Sequence, residues 1–525
     1  MSYDFYQIVY KIDNLIKQCS QDTINIIGEY IKQYNGIDKY VFRSPLLWNS
    51  EDTLFWLNEL KEKGYFNPEN NPKTYKDSQK DYYVTPYWNI LDYLGKVAKD
   101  NLQKSDQKIT NILVKIVNLN ISYKDVNGKR IDNYRTDLIM LRMFCIFPKN
   151  QITKKHIDFI EEALRTKWGS SVLQSEIGKK FIPKLIIDKN KDCLLYLLEI
   201  IFSFQEKENK YIPLIEEYHL KELIKNNISG IAALCGVGAV AVAINKIKYL
   251  IKYGRSDFNH RFGSLQVIED SSELHVREDY EYQIVHFIRD VLCLLDMDQI
   301  RGKVEQLFAE KQPIFKRIAI YIIDRNYQKL NDVFWGFNRN FINEEELKHE
   351  LYELVKNNCR LFTDEQVEKM INWIEKARYI SSDVKHEYFK DNQEDIKKYV
   401  ALKKKEWLTA LLETKNERVL EKYNKYDDIN PKEITHPGYD YWFEDWQGDK
   451  SPVSKEKFLE KTNKEIAEYL IKFREDGKWG TPSISGLSYM FRESVFEQPE
   501  RFVDDLNPFL EIPQIYQSDN HSQDE

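Results

Sequence analysis

The stretch TDEQVEKMINWIEKA, residues 363–377, reads as one complete amphipathic helix. Thr363 and Gln366 have the spacing of a capping box, in which a hydroxyl and a side-chain amide satisfy free backbone groups of the first turn. Val367, Met370, Ile371 and Ile374 then fall at i, i+3, i+4 and i+7, a single apolar stripe. The same design recurs in both directions along the chain. Asn343 and Glu346 are spaced to cap a helix with the stripe Leu347, Leu351 and Leu354, and Thr462 with Glu465 supplies either a cap or a mid-helix turn ahead of Ile466, Tyr469, Leu470 and Phe473. Ser50 opens a helix carrying Leu54, Leu57 and Leu60, which Gly64 ends. Alternating runs of strand length are scarce: Phe181-Ile182-Pro183 and Ile186-Ile187 are too short to anchor a sheet.

Helix after helix with short polar joints predicts an all-α fold, an irregular HEAT-like α-solenoid of packed helix pairs. No strict period recurs, which disfavours a regular tetratricopeptide or ankyrin array. At 525 residues the chain exceeds what one hydrophobic core usually covers. Three regions are expected: an N-terminal helical region at 1–128, a central repeat array at 129–425, and an aromatic loop with a C-terminal helical cap at 426–525. The helical text is interrupted at 64–86, 253–278 and 425–452, and loops of that length are usually functional or disordered.

Hydrophobic residues are 42% and charged residues 31% of the chain, a globular balance. The net charge of -7 does not support nucleic-acid binding, whose affinity comes from neutralising phosphates. The cysteines at 19, 145, 193, 235, 293 and 359 are far apart and form no CxxC, so buried free thiols in a reducing compartment are expected. The N-terminal text MSYDF lacks the basic-then-apolar order of a signal peptide, and a cytoplasmic location is the expectation.

Four local features carry possible chemistry. The most apolar text, GIAALCGVGAVAVAI at 230–244, runs on to Ile251. It is short for a bilayer-spanning helix, which needs roughly 20 residues, and reads as a helix buried on all sides, with no constitutive membrane span. A membrane-perforating segment at 230–251 is the sharper alternative. Gly236 and Gly238 with Ala241 match a dinucleotide fingerprint, but no alternating βα text surrounds them, and the match is rejected. Arg255 and His260 fit the Arg-x4-His signature of HEPN-like ribonucleases, in which His moves a proton and Arg holds phosphate; an RNA-cleaving role for this pair is a second alternative. His349-Glu350 and His386-Glu387 lack a second His four residues on, there is no P-loop, and neither a metal nor a cofactor is expected.

The fourth feature is the loop 437–446, PGYDYWFEDW, in which Tyr439, Tyr441, Trp442, Phe443 and Trp446 alternate with carboxylates. Aromatic clusters give large contact area at small entropic cost. Their acidic interleaving favours a protein partner of basic character.

Several stretches resemble the long helical-repeat regions of large bacterial STAND/NACHT-type antiphage ATPases. They are Asn259–Gly263 with Ile268-Glu269-Asp270, Tyr280 and Phe287–Asp290; Pro313–Arg317 with His349–Tyr352; and Ser451-Pro452-Val453 with Gly486-Leu487 and Phe496–Phe502. Phe55-Trp56-Leu57, Gly64-Tyr65-Phe66 and Tyr87-Trp88 extend it towards the N-terminus. The resemblance implies an α-solenoid that recognises a ligand and passes the event to an effector. The ATPase and effector modules of that family have no counterpart here, and no catalytic residue carries over. The expectation is a non-enzymatic scaffold or sensor that binds a protein partner, in a bacterial antiphage setting.

Overall fold

The computed structural model describes residues 3–48, 52–77, 82–149, 151–166, 170–207, 210–253, 267–270, 279–337, 339–380, 392–439, 451–453, 455–474, 482–513 and 516. The chain divides into two compact units. One comprises Met1–Ser271 with Val276–Gly438, the other Ser272–His275 with Tyr439–Glu525.

The first unit begins with short amphipathic helices: α1 (Tyr3–Gln18), α2 (Gln21–Gln33), α3 (Ile37–Arg43), α4 (Pro45–Trp48) and α5 (Thr53–Glu62). Gly64, at φ +74°, follows α5 in the left-handed conformation that terminates helices. A two-stranded antiparallel hairpin, β1 (Tyr75–Asp77) and β2 (Tyr82–Val84), occupies part of the interruption read at 64–86. Then come α6 (Ile90–Lys104), α7 (Gln107–Ser122), α8 (Tyr134–Phe144) and α9 (Lys154–Leu164). The Asp106 carboxylate caps α7 and the Asn133 side chain caps α8, each accepting two first-turn amides.

The text around Phe181-Ile182-Pro183 is helical. α10 (Ser170–Glu176) passes through a π turn at Ile177–Phe181 into α11 (Ile182–Ile187). A wider turn ahead of Pro183 suits a residue that has no amide to donate and crowds the preceding carbonyls. α12 (Lys191–Ile201) and a second hairpin, β3 (Phe204–Lys207) with β4 (Lys210–Pro213), follow.

The apolar stretch 230–251 forms two helices rather than one. α13 (Glu217–Cys235) and α14 (Val237–Tyr253) meet at Gly236, whose φ of +57° and ψ of -138° suit only glycine, and the pair bends by 114°. Ile231, Ala232, Cys235, Ala239, Val240, Ala243, Ile247 and Leu250 are buried in the protein core. Among the described residues no single helix is long and apolar enough to cross a membrane.

The rest of the unit is α15 (Tyr280–Leu294), α16 (Met297–Phe308), α17 (Pro313–Arg325), α18 (Tyr327–Trp335), α19 (Lys348–Asn358), α20 (Asp364–Lys376), α21 (Gln393–Thr409) and α22 (Glu417–Ile429). α22 runs across position 425–426, where the sequence suggests a boundary; the compact units divide after Gly438.

Helices pack on neighbours one or two helices away: α5 on α7, α6 on α8, α7 on α9, α12 on α14, α13 on α15, α15 on α17, α17 on α19 and α21 on α22. That ladder of near-neighbour contacts makes the unit an all-α solenoid of packed helix pairs. One continuous cluster of buried side chains runs through it from Ile8 to Tyr426.

α20 fulfils the reading that began with residues 363–377. Thr363 and Gln366 form the capping box, and Val367, Met370, Ile371 and Ile374 are all buried. Side chains of this size contribute roughly 1.5–3 kcal/mol each over remaining in water. Asn343 does not cap a helix as its spacing suggested. Its carboxamide oxygen accepts the amide of Arg378 at 2.8 Å, and the chain makes two 3-10 turns before α19 starts at Lys348. Of the cysteines, Cys193, Cys235 and Cys359 are buried as expected, whereas Cys293 is exposed; all six are free thiols.

The second unit has its own small core of Phe458, Ile466, Leu470, Leu487, Phe491, Phe502 and Ile512. Its helices are α23 (Lys455–Leu459), α24 (Asn463–Lys472), α25 (Ile484–Glu497) and α26 (Pro499–Asp504). Thr462 and Glu465 open α24 as a capping box, the first of the two readings of that pair, rather than a mid-helix turn.

Candidate functional site

α15, α17 and α19 each place ionisable side chains where a solenoid ordinarily buries apolar ones. His286 and Arg289 on α15, Lys316 and Arg317 on α17, and Lys348, His349 and Glu350 on α19 are all buried. Charges out of water require partners, because desolvation otherwise costs several kcal/mol. Many of those partners lie on one four-residue segment, Val267–Asp270, which precedes α15 and is far in sequence from α17 and α19.

The segment is held at every residue from 268 to 270. The Ile268 amide donates to Glu350 Oε1 at 3.0 Å, and its carbonyl accepts from Arg289 Nη1 at 2.7 Å. Glu269 Oε1 lies 3.2 Å from His349 Nε2. Asp270 takes both Arg289 Nη1, at 2.9 Å, and Nη2, at 3.2 Å. Glu350 is in turn fixed by Arg317, whose Nε and Nη2 reach its two oxygens at 2.8 and 2.9 Å. Val267 and Ile268 fill the apolar space between these bonds, both buried.

The electrostatics follow from this packing. Burial, reinforced by the Arg289 guanidinium, depresses His286 to a pKa of about 3, so its ring is neutral at pH 7. Nδ1 then serves as a donor to Asp270, 3.3 Å away, while the ring lies 3.6 Å from that of Tyr282. The hydrogen bond from His349 holds Glu269 below the usual carboxylate range. Burial works against the Arg289 charge, but Asp290 and Asp270 outweigh it and raise its pKa. Each cation meets a carboxylate or a carbonyl, and together they grip the backbone segment 268–270.

A second anchor lies at the root of the aromatic loop. Lys348 and Glu406 form an ion pair at 2.8 Å with both side chains nearly dry. Glu406 Oε1 also accepts the Gly438 amide at 3.0 Å. Gly438 adopts φ +88°, and a Cβ there would lie 2.8 Å from the Tyr352 ring, so only glycine fits. The chain therefore leaves the solenoid at a fixed point immediately before the first aromatic residue of the loop.

Tyr439 itself is half-buried and has an interaction partner. Tyr441, Trp442, Phe443 and Trp446 lie outside the described residues, as do Arg255 and His260. Among the described residues no group of three or more His, Cys, Asp or Glu side chains is placed to hold a metal ion. The clamp on 267–270 is the feature that sequence spacing missed. Its one visible signal is the run of ionisable residues in otherwise core-like helices, as in the text QIVHFIRDVL at 283–292.

No family model and no curated protein matches the chain. A solved structure described as a "Circular tandem repeat protein with novel repeat topology and enhanced subunit contact surfaces" is similar at 11% identity over 81% of this chain and 94% of its own. Its TM-score is 0.24, a level at which the likeness carries no argument.

Proposed function

We propose that the chain is a non-enzymatic helical-repeat scaffold or sensor that binds a protein partner through the aromatic segment 439–446. The observation that carries this reading is the rigid root of that segment. Gly438 is pinned by the Glu406–Lys348 pair and by contact with Tyr352, so the aromatic residues start from a preorganised point. Preorganisation lowers the entropy lost on binding, and Tyr and Trp are the side chains that dominate binding hot spots. Asp440, Glu444 and Asp445 among them select a partner with a basic surface. A role in bacterial antiphage defence follows from the resemblance alone.

The test is affinity capture from the native host with wild-type bait and with Trp442→Ala/Trp446→Ala bait of equal helicity. The reading expects a protein recovered in stoichiometric amount by the first and lost by the second. Undiminished recovery by the variant overturns it.

A further inference from the structure

We infer that the C-terminal unit carries a docking face for a basic amphipathic helix of a protein partner, made by Tyr489, Phe496, Val503, Leu506 and Leu510. This rests on the protein-binding reading above and assigns a surface and a partner chemistry to a part of the chain outside the aromatic loop.

α25 buries Leu487, Phe491 and Ser494 and turns Tyr489 and Phe496 outward. These two are seven residues apart, two helical turns, and so lie on one face. The next elements repeat the division. α26 and the 3-10 turn Asn507–Phe509 send Phe502 and Phe509 inward and leave Val503, Leu506 and Leu510 in solvent. The five outward side chains are between 56% and 75% exposed within 22 positions of sequence. Phe491, Phe502 and Phe509 form a ring triad with centroids 5.4 to 5.8 Å apart. That triad ties the three elements together, so the outward residues share the skin of one small core. Singly exposed apolar residues are ordinary; this many on so small a unit marks an interaction surface.

Charge decides what covers it. Among the described side chains of 484–512, Glu493, Glu500, Asp505 and Glu511 stand against Arg492 and Arg501, while Glu497 is paired with Lys455 at 2.6 Å. Arg501 is turned inward, donating to the Leu459 carbonyl at 2.6 Å, and Arg492 lies over the Tyr489 ring at 5.0 Å. The rim is therefore acidic. A second copy joined by a two-fold axis would set like charge against like charge. Phosphate backbones and anionic lipid are repelled for the same reason. A helix with a leucine stripe flanked by lysines satisfies both the apolar residues and the rim.

The experiment uses the full-length protein and two labelled helical peptides of about three heptads with identical leucine spacing, one Leu/Lys and one Leu/Glu. Fluorescence anisotropy is expected to show saturable binding of Leu/Lys, about 10-fold tighter than Leu/Glu. Phe496→Ser/Leu510→Ser is expected to weaken it about 10-fold while leaving circular dichroism unchanged, because both side chains are exposed. The variant keeps every charge, so attraction to the acidic chain in general would survive it. Equal affinity for the two peptides, or undiminished binding by the variant, overturns the inference. So does a wild-type dimer in sedimentation that the variant dissociates, since the occupant would then be a second copy. If the peptides do not bind while Trp442→Ala/Trp446→Ala still abolishes capture, this face is removed and the protein-binding reading stands.

Discussion

Arg317 on α17 and Glu350 on α19 are joined by two parallel hydrogen bonds, with the side chains only 4% and 3% exposed, and the same carboxylate accepts the amide of Ile268. Glu350 thus completes an ion pair within the solenoid and captures a loop that precedes it by 82 residues. Removing one member of such a pair leaves the other buried and unpaired, which costs about 3–5 kcal/mol. Glu350→Gln should lower the urea midpoint accordingly. Arg317→Met with Glu350→Leu should recover part of that loss. It still strands the Ile268 amide, worth about 1–3 kcal/mol, so recovery should stop short of wild type. A single-variant cost below about 1 kcal/mol would falsify the clamp as a source of stability.

Asp137 offers a test by pH. Its side chain is buried on α8, and burial pushes its carboxyl up to about 7 even though Arg130 donates to it at 3.1 Å and pulls the other way. The folded state therefore holds a proton that the unfolded chain, with an ordinary carboxyl near 3.8, has already released. Stability should fall as pH rises between those two values, by no more than about 1.4 kcal/mol per unit, and stay level below them. Asp137→Asn should flatten that part of the profile, whatever it does to stability at a single pH. Parallel wild-type and variant profiles from denaturant unfolding would show that Asp137 stays ionised against Arg130.

How legible these features were in sequence depends on how far apart their parts lie. Thr363 with Gln366, and Thr462 with Glu465, are three residues apart, and both pairs form capping boxes. Asn343 and Glu346 have the same spacing, yet a tertiary partner, the Arg378 amide, takes the Asn343 oxygen. A local rule holds until a better distant acceptor or donor competes for the same atom. The corner at Gly236 was missed because hydropathy reports burial without direction, and a bent pair of core helices has the same composition as a straight one. Local reading shows only the ionisable run at 283–292, and the pairing of the clamp was beyond it. Its members Ile268, Arg289, Arg317 and Glu350 are joined across 21, 33 and 82 residues, and no periodicity links them. The acidic aromatic text at 439–446 was legible as unusual, and the structure adds what spacing could not: the fixed point from which it starts.

That fixed point gives the sharpest substitution. In Gly438→Ala the new methyl would sit 2.8 Å from Cδ1 and 3.0 Å from Cγ of Tyr352. The ring has little room to retreat, since it is buried and its hydroxyl is bound to Thr409 Oγ1 at 2.7 Å. Alanine at φ +88° adds conformational strain of about 1–2 kcal/mol. Both effects drive the backbone off Glu406, so faster hydrogen exchange at residue 438 and weaker partner capture should appear together, with the helical content of the array retained. Adding Tyr352→Leu creates space for the methyl and removes the steric part while the φ strain stays. The double variant should then lose less capture than the sum of the two single changes predicts. Strict additivity would mean that Tyr352 does not shape the root of the loop, and that the glycine is required there for its backbone angle alone.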